Sequence, residues 1–222
     1  MALTQGIFLD KDGTLLEDVP YNVNPALMRF APGVASGLRR LAKLGLPLIV
    51  VSNQPGVAMG LFEEQALERV QNRLARMFES VGARLTGFYY CRHHPAGVVP
   101  HLSTLCTCRK PQAGMLMRAA EEHRIDLSTS WMVGDILHDV EAGRRAGCET
   151  ILINNGNETE WVAGPLRTPH HVVDDFDEAS KLIFGSDALK AVPLEPGNDI
   201  ASTAPQLAGR RFDGMTLQYQ RA

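Results

Sequence analysis

The sequence predicts an α/β fold: a mainly parallel sheet with helices on both faces, making three layers. Two observations carry this. Short apolar runs alternate with longer segments whose apolar residues recur at helical spacing, the pattern of strands joined by crossover helices. One of those runs, Leu46–Ser52, is apolar almost throughout, as a strand covered on both faces is.

Gly6–Asp10 reads as the first strand, ending on an acid and a turn. Pro32-Gly33 opens a helix to Leu44, with Val34, Leu38, Leu41 and Leu44 on one face and Gly45 as its stop. After the strand Leu46–Ser52, a helix is expected from Phe62 to about Ser80, where Leu67, Val70, Leu74 and Phe78 share a face. Leu85–Cys91 is a third strand, Gly114–His123 a helix, Trp131–Gly134 a fourth strand and Asp139–Ala146 a helix stopped by Gly147. Thr150–Asn154 and His171–Val173 complete the strands, and Phe176–Phe184 is a last short helix. From 187 to 222 the pattern gives way to Pro, Gly, Asn, Ser and Thr, so residues 1–186 read as one domain and 187–222 as a polar, flexible extension.

Composition bounds the function. The chain has 222 residues, 45% of them hydrophobic, and a formal net charge of −3, with no basic stripe of the kind a nucleic-acid binder shows. No apolar run approaches the roughly 20 residues that span a bilayer, and the N-terminus lacks a signal-peptide pattern. Four cysteines, three of them close to histidines, suit metal binding in a reducing compartment better than a disulfide framework. The expectation is a cytoplasmic monomer whose partner is a small metabolite, not nucleic acid or membrane.

Four short motifs each follow an apolar strand, so an open α/β sheet would gather them at the carboxyl ends of its strands, where ligands bind. They are Asp10-Lys11-Asp12-Gly13-Thr14, Ser52-Asn53-Gln54, Arg109-Lys110-Pro111, and Gly134-Asp135 with Asp139 four residues on. Several carboxylates would repel a phosphate ester unless a cation intervened, and Mg²⁺ is a hard ion that takes oxygen ligands. In residue type, order and spacing the four motifs resemble those of the haloacid dehalogenase (HAD) phosphohydrolases, across roughly residues 5 to 155.

That resemblance implies a Rossmann-like HAD fold and a phosphate-ester hydrolase working through an aspartyl-phosphate. Asp10 would be the nucleophile and Asp12 the acid and base. Ser52 and Lys110 would stabilise the transferring phosphoryl group. Asp10, Asp135 and the backbone carbonyl of Asp12 would hold Mg²⁺, with Asp139 supporting them. Only 39 residues separate Asp12 from Ser52 and 57 separate Ser52 from Lys110. Known elements fill both intervals, so no large cap domain fits.

Cys91, His93, Cys106 and Cys108 form a C-x-H…C-x-C set, three thiolates and an imidazole, which suits a closed structural zinc site. His94 and His101 are alternative ligands, and zinc would pin the loop between them. A capless chain with such a loop resembles the HAD subgroup that holds heptose-bisphosphate and histidinol-phosphate phosphatases. Ser52–Ala58, Tyr89–Pro95 and Cys108–Met115 lean toward the heptose enzymes. The resemblance then implies substrate contacts from Asp18, Val19, Pro20 and Tyr21, from Asn53, Gln54 and Pro55, and from Arg109. Ile136 stands where that subgroup usually has lysine.

Overall fold

The structure, a computed structural model, describes residues 3–190. Six strands form one sheet: β1 (Ile7–Leu9), β2 (Leu48–Asn53), β3 (Leu85–Cys91), β4 (Trp131–Gly134), β5 (Glu149–Ile153) and β6 (His171–Val173). Their order is β3-β2-β1-β4-β5-β6, and every pairing is parallel. Five helices connect and flank them: α1 (Val34–Leu41), α2 (Ala66–Ser80), α3 (Gly114–His123), α4 (Leu137–Ala146) and α5 (Phe176–Lys190).

Side-chain alternation along the strands sorts the core into two layers. Ile7 and Leu9 of β1 pack with Leu38 of α1, Leu74 of α2 and Ile183 of α5. Phe8, between them, faces the other way with Ile49 and Val51 of β2 and Leu116 and Ala119 of α3. The middle strand is therefore fully buried, which is why its sequence is apolar throughout. Among the described residues no helix is long and apolar enough to cross a membrane.

The predicted boundaries hold for β3, β4, β6 and α3 and move elsewhere. The helix expected from Phe62 starts at Ala66, because residues 61–65 are turns that press the Phe62 ring against Gly56. The helix expected to end at Leu44 ends at Leu41 and tightens into a 3₁₀ turn over Ala42–Leu44 before Gly45. The helix expected to end at Phe184 continues to Lys190, so the domain boundary read at 186 falls inside a helix. Ala188, Leu189 and Lys190 are strong helix formers, and Gly185 alone does not stop the helix. The remainder of the predicted extension, 191–222, lies outside the described residues.

Gly37 of α1 lies directly against Phe176 and Ser180 of α5. A Cβ there would meet the Phe176 ring at 2.5 Å and Ser180 Oγ at 3.1 Å. Gly37→Ala is expected to destabilise the fold by about 1–3 kcal/mol through overpacking, measured by urea unfolding.

Candidate active site

Successive strands run outward from β1 through β2 to β3 on one side, and from β4 through β5 to β6 on the other. The switch point lies between β1 and β4, where a crevice opens at the carboxyl ends of the strands. Leu9 pairs with Val50 and with Val133. Asp10 leaves β1 beside the end of β4, its N–H donating to the Val133 carbonyl at 2.9 Å. Asp135 follows β4 directly, so the two acids face each other across the switch point.

Lys110 reaches this place from the loop before α3. Its ammonium, nearly fully buried, donates to an Asp10 oxygen, to the Val51 carbonyl at 3.0 Å, and lies 2.6 Å from Asp139 Oδ1. Asn53 holds the lysine's backbone by a reciprocal pair. Asn53 Nδ2 donates to the Lys110 carbonyl and the Lys110 N–H donates to Asn53 Oδ1, both at 3.0 Å. The Asn53 side chain is therefore committed to the loop. Asp139 accepts from the Ile136 N–H at 3.3 Å, which ties it to the start of α4.

Asp12 follows Asp10 by two residues and is partly exposed. Lys11 Nζ contacts its Oδ1 at 2.6 Å and Gln54 Nε2 donates to its Oδ2 at 3.0 Å. Gln54 Nε2 also reaches Ser52 Oγ at 2.8 Å. Gln54 and Ser52 are buried, and Pro55 is half-buried. Asp18, Pro20 and Tyr21 are exposed and Val19 half-buried, in a turn where Tyr21 has φ 55°. Arg109 is half-buried, with its Nη1 atom out of solvent and lacking a hydrogen-bond partner.

The electrostatics call for a further cation. Burial pushes the Asp10 carboxyl well above its ordinary value; Lys110 opposes this, and Asp139, Asp135 and Asp12 add to it. Burial and Asp139 push Asp135 up to about 6, against the hydrogen bonds from Asn157 and Thr14. Burial alone would lower Lys110, but Asp10 and Asp139 hold it protonated. Four carboxylates thus face two ammoniums, Lys11 and Lys110, and a divalent ion would balance them. Asp10, Asp135 and Asp139 each bring a carboxylate oxygen to within 4.8 Å of the others, a spacing that fits one ion.

The predicted cysteine–histidine set also converges. Sγ atoms of Cys91, Cys106 and Cys108 lie 3.2–3.5 Å apart, and His93 Nδ1 lies 3.4 Å from Cys108 and 3.7 Å from Cys91. A tetrahedral zinc with sulfur ligands at about 2.3 Å has edges near these values. His94 Nδ1 instead accepts from the Ala96 N–H, and His101 is exposed in a 3₁₀ turn, which leaves His93 as the nitrogen ligand. Hydrogen bonding from Cys91 pulls the Cys108 thiol down to about 5, while its bond to Cys108 and burial hold the Cys91 thiol up. Three thiols this close cannot all ionise without a cation, so the donor set fits a metal. The Arg109 N–H donates to Cys106 Sγ at 3.3 Å, joining this cluster to the catalytic loop. The loop has a second anchor, Leu102, buried against Val57, Ala58 and Leu67.

Four contributors escaped the sequence reading. Thr14 Oγ1 donates to Asp135 Oδ1 at 2.8 Å, although the D-x-D-G-T motif had already marked it. Asn157 Nδ2 donates to Asp135 Oδ2 at 2.7 Å, and Asn155 Nδ2 to the Gly13 carbonyl at 2.8 Å. Glu158 Oε2 accepts from the Leu137 N–H at 2.6 Å, at the N-terminus of α4. A polar loop after β5 carries no local signal that it folds back across the site.

Known proteins place this arrangement. A family model described as HAD-hydrolase-like matches residues 107–179. The D-glycero-beta-D-manno-heptose-1,7-bisphosphate 7-phosphatase of Escherichia coli (strain K12) is 38% identical over 169 residues, covering 72% of this chain and 88% of the relative. The protein of the same name from Photorhabdus laumondii is 35% identical over 195 residues, covering 86% of this chain and 97% of its own. The chain belongs to the heptose-bisphosphate phosphatase family of HAD hydrolases. It is therefore a phosphoric monoester hydrolase of the HAD type. Among solved structures, the D,D-heptose 1,7-bisphosphate phosphatase from B. bronchiseptica, complexed with magnesium and phosphate, superposes with a TM-score of 0.70 at 27% identity. That match covers 82% of this chain and 99% of the other.

Asn53 is the staple of this HAD phosphatase site. Asn53→Ala removes both hydrogen bonds to the Lys110 backbone and is expected to lower stability by about 1–3 kcal/mol, measured by urea unfolding.

Proposed function

We propose that this HAD phosphatase hydrolyses the 7-phosphate of D-glycero-D-manno-heptose 1,7-bisphosphate. The observation that carries the reading is the gathering of Asp10, Asp12, Lys110 and Asp135 at one switch point in a chain that spans nearly the whole length of its heptose-bisphosphate relatives. A substrate with a second phosphate calls for a second anion-binding group near the first. Arg109, adjacent to Lys110 and with a buried N–H group lacking a partner, supplies a guanidinium suited to that task. The side chain at position 136 offers no charge, so Arg109 carries the contact without a lysine there.

Asp10 attacks phosphorus with one carboxylate oxygen, and the bond from phosphorus to the sugar oxygen breaks. The departing oxygen keeps the bonding pair and takes the proton of Asp12. Lys110 and the Ser52 hydroxyl stabilise charge on the phosphoryl oxygens. Water then attacks phosphorus, giving its proton to the Asp12 carboxylate, and the phosphorus bond to Asp10 breaks, the bonding pair restoring the Asp10 carboxylate. Asp10, Asp135 and the Asp12 carbonyl would hold magnesium, which when bound screens the carboxylates from the phosphate and polarises it. Asp139 acts through Lys110 and the Ile136 N–H. Cys91, His93, Cys106 and Cys108 would hold zinc as a structural ion that fixes Arg109 and Lys110 in place. Asp18 to Tyr21, with Pro55, would shape the sugar end of the pocket from the rim.

Phosphate release with Mg²⁺ is expected to be fastest on heptose 1,7-bisphosphate among that ester (both anomers), histidinol phosphate and simple sugar phosphates. Turnover of histidinol phosphate alone would overturn the substrate. Asp10→Asn is expected to reduce kcat by about three orders of magnitude or more. Purified protein is expected to carry about one equivalent of zinc by elemental analysis. Less than about half an equivalent, with Cys91, Cys106 and Cys108 rapidly alkylated, would refute the zinc site.

A further inference from the structure

Gln54 lies at the end of β2 in the sequence but against the β1 loop in space. Its backbone N–H donates to the Cys91 carbonyl at 2.7 Å, so its place is fixed without its side chain. The side chain is buried, yet it points toward two reacting groups and not into the core. The amide nitrogen, not the carbonyl, faces Asp12 and donates to it. That nitrogen has two hydrogens and two acceptors: Asp12 Oδ2 at 3.0 Å and Ser52 Oγ at 2.8 Å. Lys11 Nζ, buried beneath the turn, takes the other Asp12 oxygen at 2.6 Å.

We propose that Gln54 is a positioning residue: its amide holds Asp12 in the place from which it protonates the departing oxygen and later deprotonates water. Without this hold the Asp12 carboxylate, whose side chain is 31% exposed, keeps only its contact with Lys11 and can turn about it toward solvent. The assignment rests on the acid–base role given to Asp12 above. It moves Gln54 from the substrate contacts implied by resemblance to the groups that aim the catalytic ones.

The test separates positioning from folding through the leaving group. An ester whose departing alcohol is a poor leaving group needs the Asp12 proton, whereas para-nitrophenolate leaves without it. The full chain with Mg²⁺ and its Gln54→Leu and Gln54→Met variants are measured on benzyl phosphate and para-nitrophenyl phosphate. Both variants are expected to lose about 30- to 100-fold in kcat on benzyl phosphate, with KM changed less than about threefold. On para-nitrophenyl phosphate the first turnover is expected to stay within about threefold. A burst of nitrophenolate should then appear, because water activation by Asp12 becomes slow. Equal losses on both esters, or a loss carried by KM, would overturn the assignment. Asp12→Asn is the control. If it discriminates between the esters and both Gln54 variants do not, only the role of Gln54 falls. If it treats the esters alike, the acid–base reading of Asp12 falls and Gln54 with it.

Discussion

The ammonium of Lys110, wedged between Asp10 and Asp139, is the contact on which the rest of the site depends. All three groups are buried, and a buried charge is tolerated only when its partners are held in place. Each is held by a different part of the chain. Asp10 is fixed by the β1–β4 hydrogen bond, Asp139 by the first turn of α4, and Lys110 by the Asn53 staple. The lysine also fixes the sign of the problem. One ammonium cannot balance two carboxylates plus Asp135, so the group keeps an excess of negative charge that suits a metal ion.

Two distant assemblies serve that contact. The cysteine cluster ends one residue before Arg109, so whatever fixes the thiolates also fixes the start of the catalytic loop. The loop between its two halves is long, and Leu102 in the small cluster with Val57 and Ala58 pins it at the far side. The loop after β5 closes the opposite wall. Asn155, Asn157 and Glu158 bind in turn the Gly13 carbonyl, Asp135 and the N-terminus of α4. None of these residues needs to touch a substrate to matter for how one is handled.

Much of this was legible from the chain. The limits of β3, β4 and α3 agree with the reading, because each is an apolar or periodic run bounded by clear turn residues. Asp10, Asp12, Ser52 and Asp135 come together because they stand at or just after the ends of β1, β2 and β4, and parallel strands end on one edge; Lys110 and Asp139 reach them from a loop and from the first turn of α4. What stayed hidden depends on long-range packing. Lys11 lies between two acids and carries no motif role of its own, yet only 1% of it is exposed. Gln54 reads as a ligand contact until its two acceptors are seen. Asn155 and Asn157 read as turn formers, and they do form a turn, one that happens to cross the pocket. The start of α2 was missed because Glu63, Glu64 and Gln65 favour a helix, while the Phe62 ring against Gly56 holds the chain in turns instead.

Gly13 has φ 83°, and a Cβ on it would overlap both Asp135 Oδ2 and Asn157 Nδ2. Asp135 and the loop after β5 can press this close to the β1 loop only because residue 13 has no side chain. A side chain there would push Asp135 and Asn157 apart, so the floor of the crevice has no slack in which a new shape could evolve. Change has more room at the outer turn, where Asp18, Pro20 and Tyr21 are exposed.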